Sequence, residues 1–155
     1  MEDLSLHILD IVENSLRAGA KRVEIILTED TVEDVLTLKI TDDGEGMTPE
    51  ACARAADPFF TTKPGHRTGL GLALLAQAAR EAGGELRVSS LSGVGTTVRA
   101  TFRWSHPDRR PLGDISATLE ALVAANPAVD FVCEQRRGAD VVRFDTREVR
   151  RRWST

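Results

Sequence analysis

The chain has 155 residues, 41% of them hydrophobic and 28% charged, with a formal net charge of −4. This is enough for one domain with a real core, or one domain plus a small appendage, and it excludes a generally basic nucleic-acid-binding face, which needs clustered Lys and Arg. No apolar run approaches the ~18 residues of a membrane span, and the acidic, amphipathic start MEDLSLHILD does not fit a signal peptide, so the expected location is cytoplasmic.

Residues 3–18 place Leu4, Ile8, Ile11, Val12 and Leu16 at helical spacing, and Gly19 stands where a helix-ending glycine belongs. RVEIILTED alternates Val23, Ile25 and Leu27 with charged or mixed positions and predicts a strand. VLTLKITDD predicts a second, with Val35, Leu36, Leu38 and Ile40, after an acidic connection from Glu29 to Asp34. DDGEGM, residues 42–47, breaks the pattern. Thr48 and Pro49 open a short helix as N-cap and first residue, and it stops near Asp57 and Pro58.

Residues 58–68 have no period and read as a loop. A helix follows from Thr68 to Ala82, ended by Gly83 and Gly84. ELRVSSLSG and TTVRATFRW are strands around the turn from Ser92 to Gly95. HPDRRPLG, residues 106–113, reads as a linker. A helix from Ser116 to Ala125 turns Leu119, Leu122 and Val123 inward. VDFVCEQ and DVVRFDT flank Arg136 to Ala139 as a hairpin, which extends the sheet, covers its edge or serves as a separate docking element. Trp104 and Trp153 flank this region, as packed aromatics or a partner surface. The basic run Arg147, Arg150, Arg151 and Arg152 reads as a solvated helix end. Cys52 and Cys133 lack metal-ligand spacing and read as free thiols of a reducing compartment.

Four segments carry candidate chemistry. On the first helix Asp10 and Asn14 are four apart and share a face, with His7 nearly in line. Oxygen donors stacked this way could position a water and a hard cation; otherwise Asp10, Glu13 and Asn14 are the wet side of an amphipathic helix. DDGEGM directly follows a strand. Its glycines let the backbone approach a flat ligand while a carboxylate accepts from an exocyclic amine, or else the segment is a tight turn with an Asx-type bond. The stretch 61–71 combines Gly65, Gly69 and Gly71 with Lys63, His66 and Arg67 ahead of an apolar helix, which suits a phosphate. SGVGTT is the fourth.

In this order the motifs resemble the GHKL ATPase superfamily, which groups gyrase-type ATPases, heat-shock chaperones, histidine kinases and mismatch-repair MutL proteins. LDIVENSLRAGAKRVEI is similar to its N box, in wording closest to MutL-type proteins. DDGEGM is similar to the DxGxG box, DPFFTTKPGHRTGLGLAL to the F box and second glycine box of histidine kinases, and GVGTTVRATF to the last glycine-threonine box. The resemblance covers about residues 4–103. It implies a Bergerat-type α+β two-layer sandwich, helices packed on one face of a mixed sheet. Residues 1–104 would be the ATP-binding domain and 105–155 an α-β-β extension.

The roles it implies are these. Asn14 would ligate Mg²⁺, and Asp42 would bind the adenine amino group. Gly44, Gly46 and Met47 would line the base pocket. Lys63 and the segment Thr68, Gly69, Leu70, Gly71 and Leu72 would hold the ATP phosphates under a short lid, residues 63–71. Thr96 would reach Asp42 or the base through a water.

The pattern also departs from the family. Gyrase-like and MutL-like members place a glutamate as general base where this chain has Asp10, a methylene shorter; Glu13 points elsewhere. The chain begins only thirteen residues before Asn14, with no kinase dimerisation hairpin ahead of it. His7 then reads as a polar residue near the mouth of the phosphate pocket. The lid is kinase-like while the N box is MutL-like, and 106–155 is too short for a transducer domain. Two functions follow: a stand-alone protein that transfers or hydrolyses the γ-phosphate of ATP, as an anti-sigma-type protein kinase or ATPase with Asp10 as base, or a non-catalytic nucleotide-sensing module that regulates a protein partner. A remnant that binds nothing is opposed by the glycines at 44, 46, 69, 71 and 95, which exceed what folding alone is expected to need.

Overall fold

The computed structural model describes residues 3–55, 68–109 and 111–147. In chain order they form helix α1 (Leu4–Arg17), strands β1 (Arg22–Asp30) and β2 (Val35–Asp42), helices α2 (Pro49–Ala55) and α3 (Thr68–Glu81), strands β3 (Leu86–Leu91) and β4 (Gly95–Arg103), helix α4 (Ile115–Ala125), and strands β5 (Asp130–Arg137) and β6 (Asp140–Asp145). These strands make one sheet in the order β3-β4-β2-β1-β5-β6.

Every neighbouring pair is antiparallel except β1 and β5, which run parallel with Val23 opposite Phe131 and Ile25 opposite Cys133. The C-terminal hairpin therefore extends the sheet from the free edge of β1. Alternation along the strands turns Val23, Ile25, Leu27, Leu36, Leu38, Ile40, Val98, Ala100 and Phe102 into a single core with Leu4, Ile8 and Val12 of α1, Leu75 of α3 and Leu122 of α4. The architecture is the expected α+β two-layer sandwich on a mixed sheet.

Local chemistry sets the ends of α1. The Asp3 carboxylate accepts from Leu6 N–H at 3.0 Å as N-cap. Gly19, at φ +78°, takes the left-handed conformation that stops the helix. The next free amides of the first turn have an unexpected partner. Leu4 N–H donates to Pro111 O at 2.8 Å and Ser5 N–H to Leu112 O at 3.1 Å. The segment expected to be a linker is thus bonded to α1, because a helix start leaves amides that need acceptors. Trp104 is half-buried, with the Arg109 guanidinium 4.5 Å over its ring; Trp153 and Arg150 to Arg152 lie outside the described residues.

Candidate functional site

β2 ends at Asp42. Directly across the sheet stands Thr96 of β4, which in turn faces Ser90 of β3. α1 crosses over this strand end and lays Ser15 against it. Ser15 Oγ donates to Asp42 Oδ2 at 2.6 Å, and Gly44 N–H donates to Asp42 Oδ1 at 2.9 Å. The second bond is the Asx-type turn, so DDGEGM is both a turn and a held carboxylate.

Ser90 is the hub on the other side. It accepts from Met47 N–H at 2.7 Å and donates to Gly95 O at 3.0 Å. Its single proton is then used, so Thr96 Oγ1 is the donor in the 2.8 Å Ser90–Thr96 contact. Beside this network lies a cavity of about 310 Å³, walled by Ile11, Ala18, Met47, Leu72 and Val98, with Asn14, Ser15, Asp42 and Thr96 as polar points. An apolar slot with a few convergent polar groups suits a flat ligand that carries a donor for the carboxylate.

The loop glycines have architectural reasons. A Cβ at Gly46, φ +71°, would lie 2.0 Å from Leu91 O, and one at Gly95 2.1 Å from Asp42 O. A Cβ at Gly44 would lie 2.9 Å from that of Ala18. Backbone passes against backbone here: Gly93 N–H donates to Glu45 O at 2.6 Å and Glu45 N–H to Ala18 O at 2.8 Å. The expectation that folding alone does not need glycine at 44, 46 and 95 is therefore corrected, because the chain crossing demands them.

Gly71 connects the second cluster. A Cβ there would stand 3.3 Å from Asp10 Cβ and 3.7 Å from Asn14 Nδ2, so the start of α3 lies against the Asp10–Asn14 face of α1. Both residues are half-buried, whereas Glu13 is exposed. His7 is 3% exposed, inside the packing and not at an open mouth. Leu72 is buried and lines the cavity. Thr68, Gly69 and Leu70 open α3. Lys63 and the rest of 56–67 lie outside the described residues. Among the described residues no group of three or more His, Cys, Asp or Glu could form a protein-only metal cage.

Sequence reasoning missed Ser15 and Ser90. Ser15 had a signal: it continues the apolar stripe Leu4, Ile8, Ile11, and a polar residue on a core-facing stripe calls for a partner. Ser90 had none, because its bonds reach Met47, Gly95 and Thr96 only after β3 and β4 pair.

Residues 2–106 match the family described as Histidine kinase-, DNA gyrase B-, and HSP90-like ATPase. The chain is similar to the Non-motile and phage-resistance protein of Caulobacter vibrioides, 33% identical over 119 residues, which is 71% of this chain and 14% of that protein. It is 32% identical over 95 residues to Histidine protein kinase DivJ of Caulobacter vibrioides (59% of this chain, 16% of that protein) and 32% over 95 to Sporulation kinase E of Bacillus subtilis (61% and 13%). The chain thus spans only a small part of these relatives. Its fold is similar to the Aquifex aeolicus MutL ATPase domain complexed with ADP, with a TM-score of 0.58 and 16% identity over 92% of this chain and 64% of that one. With residues 2–106 matched and the fold shared, the chain belongs to the histidine kinase-, DNA gyrase B- and HSP90-like (GHKL) ATPase family.

Proposed function

We propose that the chain binds Mg-ATP in the cleft between α1, the 42–47 loop and α3, and acts on the γ-phosphate. The observation that carries this reading is Asp42. Its carboxylate stands in a largely apolar slot, each oxygen anchored by one protein donor and retaining a further acceptor site. An adenine amino group would donate to it, with the ring between the apolar walls, Gly44, Gly46 and Met47 lining the base and Thr96 reaching it through a water.

The donor set also fits Mg²⁺. That ion takes oxygen ligands, mostly waters and substrate phosphates, with one or two from protein. Asn14 would supply a carboxamide oxygen, and it stands beside the start of α3, where free helix amides favour phosphate. The ion's part would be to neutralise phosphate charge. Lys63, Thr68, Gly69, Leu70, Gly71 and Leu72 would complete the phosphate grip.

Asp10 lies one turn before Asn14 and also abuts Gly71. It would accept the proton of a water or of a hydroxyl on a protein partner. The matched relatives include two named as kinases, which supports transfer to a protein. The non-catalytic sensing module draws its support from the same residue, since aspartate reaches a methylene less far than the family's glutamate.

Calorimetry with Mg-ATP tests binding, and phosphate release and phosphotransfer test turnover. Asp42→Asn keeps the shape but loses a charge-assisted hydrogen bond, about 1.5–3 kcal/mol, so ATP should bind about ten- to a hundredfold more weakly. Asn14→Ala should weaken Mg-ATP and leave metal-free nucleotide unchanged. Turnover lost in Asp10→Asn with binding kept supports catalysis; tight binding without turnover in either chain leaves the sensing module. No heat and no thermal shift with millimolar Mg-ATP would end the proposal.

A further inference from the structure

On the sheet face turned away from the helices, strand register brings three cations into one row. Arg87 of β3 is opposite Arg99 of β4, which is opposite Lys39 of β2. All three are exposed. With strands ~4.8 Å apart, the row spans ~10 Å. Like charges directly opposite one another disfavour a sheet, so folding does not explain the row.

The surroundings leave most of this charge uncompensated. Glu85 takes Arg87 Nε at 2.9 Å, and Glu24, which pairs with Thr41, is only diagonal to Lys39. Among the described residues neither Lys39 nor Arg99 is in an ion pair. The flanking rows are polar and mostly short: Ser89, Thr97 and Thr41 on one side, Thr101 and Thr37 on the other, where Glu85 stands next to Thr101.

We propose that this face docks an acidic helix of a partner protein, laid across β3, β4 and β2. A helix rises ~5.4 Å per turn, so carboxylates on three successive turns match cations on three successive strands. The low Ser and Thr rows let a cylinder lie down between them. Single-stranded nucleic acid fits less well, because it needs aromatic platforms, which this row and its flanks lack. A second copy is no match either: α1 holds only Asp10 and Glu13, and α2, α3 and α4 hold one acid each, Glu50, Glu81 and Glu120. The row lies on the opposite side of the sheet from the cleft, so the inference is independent of ATP binding.

The test uses the full chain and a fluorescent alanine-rich helical peptide with a stripe of three glutamates, one per turn. Anisotropy should show binding at low salt that weakens as salt is added. The double variant Lys39→Glu/Arg99→Glu should bind at least about tenfold more weakly, and Lys39→Ala/Arg99→Ala should lose less. Unchanged circular dichroism shows that both variants fold. The proposal is overturned if the glutamate peptide does not bind, if a glutamine version binds equally, or if charge reversal leaves the affinity unchanged. It is also overturned if an oligothymidine strand binds more tightly than the peptide and loses that binding in the same double variant.

Discussion

The cleft loops and the C-terminal extension belong to one sheet but are held by opposite means. At 42–47 every turn of the chain is tied by a polar bond, to Ser15, Ser90, Ala18 or Gly93, and at Gly46 and Gly95 there is no room for a Cβ. The extension is anchored by large apolar side chains. Phe131 is 0% exposed and Leu122 4%, in the same core as α1. Its outer edge is exposed: Val142 is 69% exposed, Phe144 41%, and a groove of about 450 Å³ runs between α4 and Phe144. A cleft meant to hold a ligand gains from backbone with one conformation, whereas an added sheet edge needs only enough burial to stay in register.

The sharpest way to break this contrast is to remove one anchor from each part. Phe131→Ala and Phe102→Ala should each cost about 3–5 kcal/mol by denaturant unfolding, because both fill the same core. A much smaller cost at Phe131 would mean that the extension is a separable unit. Next come two left-handed glycines. Gly138→Ala has open space around it and should cost only the backbone strain, about 1–2 kcal/mol. Gly46→Ala adds a collision with the Leu91 carbonyl and should cost clearly more in the same assay. Equal costs would remove the claim that the cleft backbone has no slack.

Ser15→Ala deletes one hydrogen bond to Asp42 and should lower stability by about 0.5–1.5 kcal/mol, with nucleotide affinity falling in the same variant as the carboxylate loses its orientation. A pH titration sharpens the view of the α1 cap. The Ser5 hydroxyl, and then the Leu6 amide, hold the Asp3 carboxyl below its ordinary value. Its contribution is thus present above the unfolded carboxyl pKa and lost as pH falls through the lower folded one. Asp3→Asn should flatten that part of the acid limb in thermal melts. The smallest effect is chemical: burial, and then the Asp145 charge, push the Cys133 thiol up to about 12. Native Cys133 should resist iodoacetamide at neutral pH and react once the chain unfolds.

Most elements were legible because their signals are local. The stripe Leu4, Ile8, Ile11, the alternation in RVEIILTED and the cap Thr48-Pro49 each lie within a few residues. The site was legible in part. Asp42 and Asn14 stand in recognisable motifs, and the structure lays Gly71 beside Asn14. Ser90 was invisible because its partners come from two other segments, the 42–47 loop and the start of β4. The bond from Leu4 to Pro111 was invisible for the same reason, and 106–113 read as a linker because Pro and Gly look alike in a loose loop and in one held by a helix start.

By itself the sequence determined the order and type of the elements, the helix face shared by Asp10 and Asn14, and the resemblance to the GHKL superfamily, since periodicity and motif spacing are properties of neighbouring residues. Tertiary structure alone decided that β5 joins β1 in parallel, that Gly46 and Gly95 are demanded by backbone crossings, and that Lys39, Arg99 and Arg87 form one row. Those facts exist only once residues distant in the chain are placed in register, where side-chain identity acts through what lies opposite it.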